Sequence, residues 1–174
     1  MVLKHPFFKT GYLGPFNILK VPVYLHWSFF FAGLFLASAV GQKNLLSIII
    51  LIFSYTFLVL LHEFGHAYAA RQAGANVPRI EIKGSGGFCY YEGNLSYHEQ
   101  LLVSSAGLIV QIIVFVLTCL LTVLFGEPNN NAFSSFVFVF IYINGLAFLV
   151  NAIPYGKNDG KQIYTLIRNR KYET

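Results

Sequence analysis

Long apolar runs separated by short polar breaks set the pattern of this chain. Four stand out, at about Val21–Val40, Leu45–Ala70, Leu101–Phe125 and Ala132–Ile153. Each approaches or exceeds the ~20 residues with which a helix crosses the hydrocarbon core of a bilayer. The runs are too long for ordinary strands and lack their alternation. The breaks GQKN, after the first run, and GEPNNN, before the last, are polar and turn-forming.

The segment between the second and third runs reads GANVPRIEIKGSGGFCYYEGNLS. Arg79–Lys83 and Phe88–Tyr91 alternate weakly around Gly84, Gly86 and Gly87, which predicts a short β-hairpin. Ser96 followed by Glu99 fits a capping box opening the third helix. The expected fold is an all-α polytopic membrane protein. It has about four transmembrane helices and a membrane-associated hairpin between helices 2 and 3. One domain over 1–174 is expected, with an N-terminal segment at 1–20, a membrane core at 21–153 and a terminal segment at 154–174.

Composition agrees. Of 174 residues, 56% are hydrophobic and 11% charged, against about 25% charged in a soluble domain. The formal net charge of +5 is not gathered into a surface stripe, so no nucleic-acid partner is expected. Lys and Arg act instead as topology signals. Eleven of them (Lys4, Lys9, Lys20, Arg71, Arg79, Lys83, Lys157, Lys161, Arg168, Arg170, Lys171) fall on one side of the predicted bilayer and only Lys43 on the other. The positive-inside rule then places both termini in the cytoplasm, with the tail after Asp159 as a basic amphipathic helix at the inner interface. No cleavable signal peptide is evident at the N-terminus. Cys89 and Cys119 match no metal spacing and imply no disulfide.

Against this background His62, Glu63 and His66 are out of place, because ionisable side chains at membrane depth are costly and need partners. His62 and His66 lie one helical turn apart on one face, so both can bind one zinc ion, and Glu63 can reach a water there as general base. A pair of helix histidines hydrogen-bonded to a neighbouring helix would give the same spacing. A catalytic zinc takes three protein ligands. The chain's single aspartate, Asp159, lies just past the fourth run in NAIPYGKNDG. Counted from Leu45 at 1.5 Å per residue, His62 lies ~26 Å down its helix, at the side where the charge count puts Asp159. The Asp-Gly pair also fits a plain turn.

HEFGH in a membrane helix and NAIPYGKNDG at the end of a later one resemble the site-2 proteases, a family of intramembrane zinc metalloproteases. HWSFF in the first run, the Gly-rich hairpin and SSAGLIVQ in the third extend the resemblance over nearly the whole chain. It implies a zinc-dependent intramembrane endopeptidase acting on a membrane-inserted protein or peptide. It further implies His62, His66 and Asp159 as zinc ligands, Glu63 as the base, and Asn151 as a donor to the substrate backbone or developing oxyanion. Asn151 also fits an interhelical hydrogen bond, as does Asn144 seven residues earlier. The chain departs from the family pattern where Gly107-Leu108 replaces Gly-Pro, Gln111 replaces a nearby Asn, and Lys157 and Asn158 precede the aspartate. With no PDZ-like insertion and no CBS domain, a compact form is expected, and its size points to a bacterial cell membrane. Anti-sigma factors, membrane-bound pro-transcription factors, leftover signal peptides and pheromone precursors all fit as substrates. The rival reading is a non-proteolytic zinc-binding accessory or immunity protein, which would have no need of Glu63. A metal transporter fits less well, since the spans offer ions no polar path.

Overall fold

The computed structural model describes residues 11–39, 41–126 and 131–170. Lys4, Lys9, Val40, the middle of the GEPNNN break and Lys171 lie outside them. The elements run β1 (Tyr12–Ile18), β2 (Val21–His26), α1 (Ser28–Ala39), α2 (Leu45–Gln72), β3 (Asn76–Lys83), β4 (Gly86–Glu92) and α3 (Tyr97–Phe125). They continue with α4 (Asn131–Phe138), a π-helical turn (Val139–Ile143), α5 (Asn144–Ala152) and α6 (Asp159–Arg170).

Among the described residues three helical stretches are long and apolar enough to cross a membrane: α2, α3, and Phe133–Ala152 across α4, the π turn and α5. The first apolar run divides differently from the expectation. Val21–His26 is a strand, and only Ser28–Ala39 is helical. Twelve residues rise ~18 Å, short of the ~30 Å hydrocarbon core. The helical membrane core is as expected, with this short α1 where a first full span was foreseen.

The sheet is larger than the hairpin read from the sequence. Four strands lie in the order β1-β2-β3-β4, so the expected β3–β4 hairpin is joined by a second hairpin through a parallel β2–β3 pairing. At the β1–β2 turn Leu19 and Lys20 both take positive φ, 49° and 62°. The Arg71 guanidinium, at the end of α2, donates to both their carbonyls at 2.8 Å and so ties this strained turn to the helix. Val21, Val23, Ile80 and Ile82 turn inward and pack on Ala67, Ala69 and Ala70 of α2 and Val103 of α3. Burying each isoleucine contributes about 1.5–3 kcal/mol. The alanines matter as much, because small side chains let the sheet lie close to the helix.

Within the bundle, lipid is as apolar as leucine, so helices associate by close packing and hydrogen bonds instead. Gly65 lets α2 approach α3 until an added Cβ would stand 2.9 Å from Ala106 O. The π turn lies in the stretch that brings Phe140 and Asn144 into the interior. There Asn144, fully buried, donates to Gln111 O on α3 at 2.9 Å. The capping box read from Ser96 and Glu99 is present at the start of α3.

Candidate metal centre

Why do the two histidines converge rather than splay? His66 Nδ1 lies 2.7 Å from Val103 O, so this nitrogen donates to the carbonyl and the ring is fixed with Nε2 free. His62 lies one turn earlier on the same face of α2, and the two Nε2 atoms are 3.1 Å apart. Asp159, first residue of α6, reaches them from the far end of the chain. Its Oδ2 lies 3.2 Å from His62 Nε2 and its Oδ1 3.3 Å from His66 Nε2. All three residues are buried.

These separations fit a metal. Ligands at about 2.0–2.1 Å in a tetrahedron stand roughly 3.3 Å from one another. Asp159 Oδ2 has no hydrogen-bond partner among the described residues, as expected of an atom meant for an ion. Burial alone would raise the Asp159 carboxyl, yet the facing imidazoles override it and hold it down at about 2. Asp159 therefore offers the centre an anionic oxygen throughout the physiological range.

Asp159 owes its position to the residue before it. Asn158 Nδ2 donates to Val150 O and Ile153 O, both at 2.6 Å, closing the C-terminal end of α5. Its Oδ1 accepts from Lys161 N at 3.0 Å, capping α6. Gly160 then packs directly against the Ala152 carbonyl, and an added Cβ would lie 2.9 Å from Asn151 O. Asn158, which departs from the family pattern, is thus the clamp that joins the two helices. Replacing it with alanine is expected to weaken divalent-metal binding about tenfold while leaving the helix content intact. Chelator competition followed in parallel with circular dichroism checks this.

Glu63 stands beside the centre rather than in it. It is buried, its Oε1 lies 4.0 Å from His62 Nε2, and it is not one of the three converging ligands. The strand that covers it makes room with Gly87, where any Cβ would collide with the Glu63 carboxylate. Gly107 of α3 does the same for the histidines. A Cβ there would run into His66 Nε2 and come within 2.6 Å of His62 Cε1. Sequence reasoning missed both roles. In the sequence Gly87 is one of several hairpin glycines, and Gly107 is half of a departing Gly-Pro pair.

Asn151 lies at the end of α5, half-buried, with its backbone carbonyl against Gly160 and hence near Asp159. Its side chain makes no hydrogen bond among the described residues. The interhelical bond weighed for both asparagines belongs to Asn144. His26 accepts from Ser28 N at 3.2 Å at the start of α1, far in sequence from the centre, with Trp27 exposed beside it. Cys89 and Cys119 are free thiols.

Comparison with known proteins places the chain among proteases. A family model described as peptidase M50B-like matches residues 44–155, well over half of the chain. A zinc metalloprotease of Methanocaldococcus jannaschii is 26% identical over 160 residues, which cover 90% of this chain and 45% of that protein. The chain thus spans a little under half the length of that relative. A solved structure of a site-2 protease from the same organism superposes with a TM-score of 0.69 at 24% identity, covering 92% of this chain and 72% of the other. That likeness establishes the fold. With α2, its two histidines and Glu63 all inside the matched stretch, the chain belongs to the peptidase M50B-like family.

Proposed function

We propose that this protein is a zinc-dependent intramembrane endopeptidase. The observation that carries the reading is a buried triad of ligands at tetrahedral separations with a carboxylate, Glu63, held beside it and outside it. A purely structural metal site has no use for such a group. The intact Glu63 is also what disfavours a non-proteolytic zinc-binding accessory protein.

His62, His66 and Asp159 would hold the ion, which when bound supplies Lewis-acid polarisation and a water of lowered pKa. Glu63 takes a proton from the attacking water and returns it to the departing amine nitrogen as the C–N bond breaks. Asn151, with its amide uncommitted, donates to the oxygen on which negative charge develops. Gly87 and the buried surroundings of Glu63 keep that carboxylate in one orientation.

A transmembrane substrate hides its amides in its own helix and must unwind before it can be cut. β4 offers the unwound segment a partner. It pairs with β3 on one side only, so its other edge is open among the described residues, and its Gly87 lies over Glu63. Strand addition there delivers a scissile carbonyl to the base. The substrate is accordingly a membrane-inserted or membrane-associated protein or peptide. Both termini lie on the cytoplasmic side in this reading, supported by the asymmetry of Lys and Arg. Mass spectrometry of membrane-peptide fragments from cells carrying wild-type or Glu63→Gln protein tests the assignment. Fragments with new termini inside membrane segments should accompany only the wild type; identical fragment sets would refute it.

A further inference from the structure

Beyond the metal centre, a cleft of about 400 Å³ opens between α3 and α6. Its walls include Tyr91 of β4, Ser104 of α3, Lys157 of the preceding loop, and Lys161, Gln162 and Thr165 of α6. No carboxylate lines it, and neither lysine has an ion-pair partner among the described residues. The cleft is thus lined by two exposed lysines, one of them with its Nζ 5.6 Å from the centre of the Tyr164 ring, together with hydroxyl- and amide-bearing residues and no acidic residue.

Its position is set by the strand that covers Glu63. Along β4 the residues Gly87, Cys89 and Tyr91 turn toward the helices, while Phe88, Tyr90 and Glu92 are exposed. Gly87 stands over Glu63 and Tyr91 enters the cleft. Four residues of strand separate them, ~13 Å at 3.3 Å per residue. A peptide paired on the open edge of β4 has the same period, so its inward side chains fall first at Glu63 and then at the cleft.

We propose that this cleft is a substrate subsite that receives an acidic side chain about four residues from the bond to be cut. The proposal rests on the protease reading and on strand pairing at β4. Electrostatics decides the side-chain class. An aspartate or glutamate meets Lys157 and Lys161, whereas a basic residue meets like charge and a neutral one gains nothing from either lysine. Lys157 is one of the residues by which the chain departs from the family pattern before the aspartate.

Binding to zinc-loaded Glu63→Gln protein in phosphatidylcholine nanodiscs tests the idea without turnover. The probes are fluorescent peptides with a Leu/Ala membrane segment and a Gly/Ser/Ala flank carrying one Asp, Asn or Lys, scanned by position. At one position the Asp peptide should bind about fivefold tighter than its Asn counterpart, and the Lys peptide weakest. The double change Lys157→Glu with Lys161→Glu should reverse that order. Gln100→Glu puts a carboxylate in the same cleft from α3, away from the metal ligands, and should remove most of the Asp advantage. Equal binding of the three peptides at every position overturns the proposal, as does an Asp advantage that survives both sets of substitutions. So does an advantage abolished by adding phosphatidylglycerol to the nanodiscs, which would assign the cleft to lipid headgroups. Failure of the protease reading would look different: wild-type protein that binds Asp peptides selectively and cuts none of them.

Discussion

Glu63→Gln should lower the rate of peptide cleavage by about two to four orders of magnitude while leaving one zinc ion bound per chain. The two halves of this expectation have separate origins. Glu63 Oε1 is 4.0 Å from the nearer imidazole nitrogen and is not among the three converging ligands, so the ion does not depend on it. Glutamine keeps the size of glutamate, so the contact with Gly87 and the packing of β4 over the site survive. What is lost is the basic oxygen that accepts a proton from water and passes it on. Asp159→Asn should behave in the opposite manner, losing the metal together with activity, because there the change falls on a ligand oxygen. Rates on a membrane peptide and zinc content by mass spectrometry, measured on the same preparations, separate the two. A Glu63→Gln protein that still cleaves at the wild-type rate would remove Glu63 from the chemistry.

The second large effect is expected at a residue with no chemistry of its own. Gly107→Ala places a Cβ against His66 Nε2 and within 2.6 and 2.7 Å of His62 Cε1 and Nε2. The His66 ring cannot yield freely, since it is tied to Val103 O on the same helix that carries the new methyl group. Overpacking of this kind costs about 1–3 kcal/mol. Here it falls on the faces of the rings that meet the ion, so zinc affinity should drop by about 10- to 100-fold, with activity following. Gly145→Ala is the control. Its added Cβ finds only Phe115 Cε2 at 3.7 Å, an ordinary contact, and should leave zinc binding unchanged. If both variants bind zinc like the wild type, the cradle described for Gly107 is not what holds the histidines.

Much of this architecture was legible in the residue pattern because bilayers impose long, uninterrupted signals. The runs that became α2 and α3, and the last span, could hardly be anything else, and Ser96 with Glu99 marked a helix start. The charge count and helix depth brought Asp159 to the level of His62, and the structure brings the two together. What was hidden depended on partners distant in sequence. Val21–His26 reads as the opening of an apolar helix because FFFAGLFLASA follows without a break, yet its neighbour is β3, beyond the whole of α1 and α2. Tyr12–Ile18 carries too little alternation to declare itself, and it forms a strand by pairing with β2. Gly87 and Gly107 were illegible for a related reason. A glycine's use as empty space shows only when the side chain that fills the space is known. Asn158 was the reverse case, a departure from a pattern that the structure turns into two helix caps.

The account stands on His62, His66 and Asp159 gripping one ion, and zinc K-edge absorption spectroscopy of protein purified without chelators addresses that most directly. It should find one zinc per chain with two imidazole nitrogens and carboxylate oxygen at about 2.0–2.2 Å, no sulfur, and loss of the signal in Asp159→Ala. Protein free of zinc, or a zinc site that keeps its spectrum after Asp159→Ala, would contradict it.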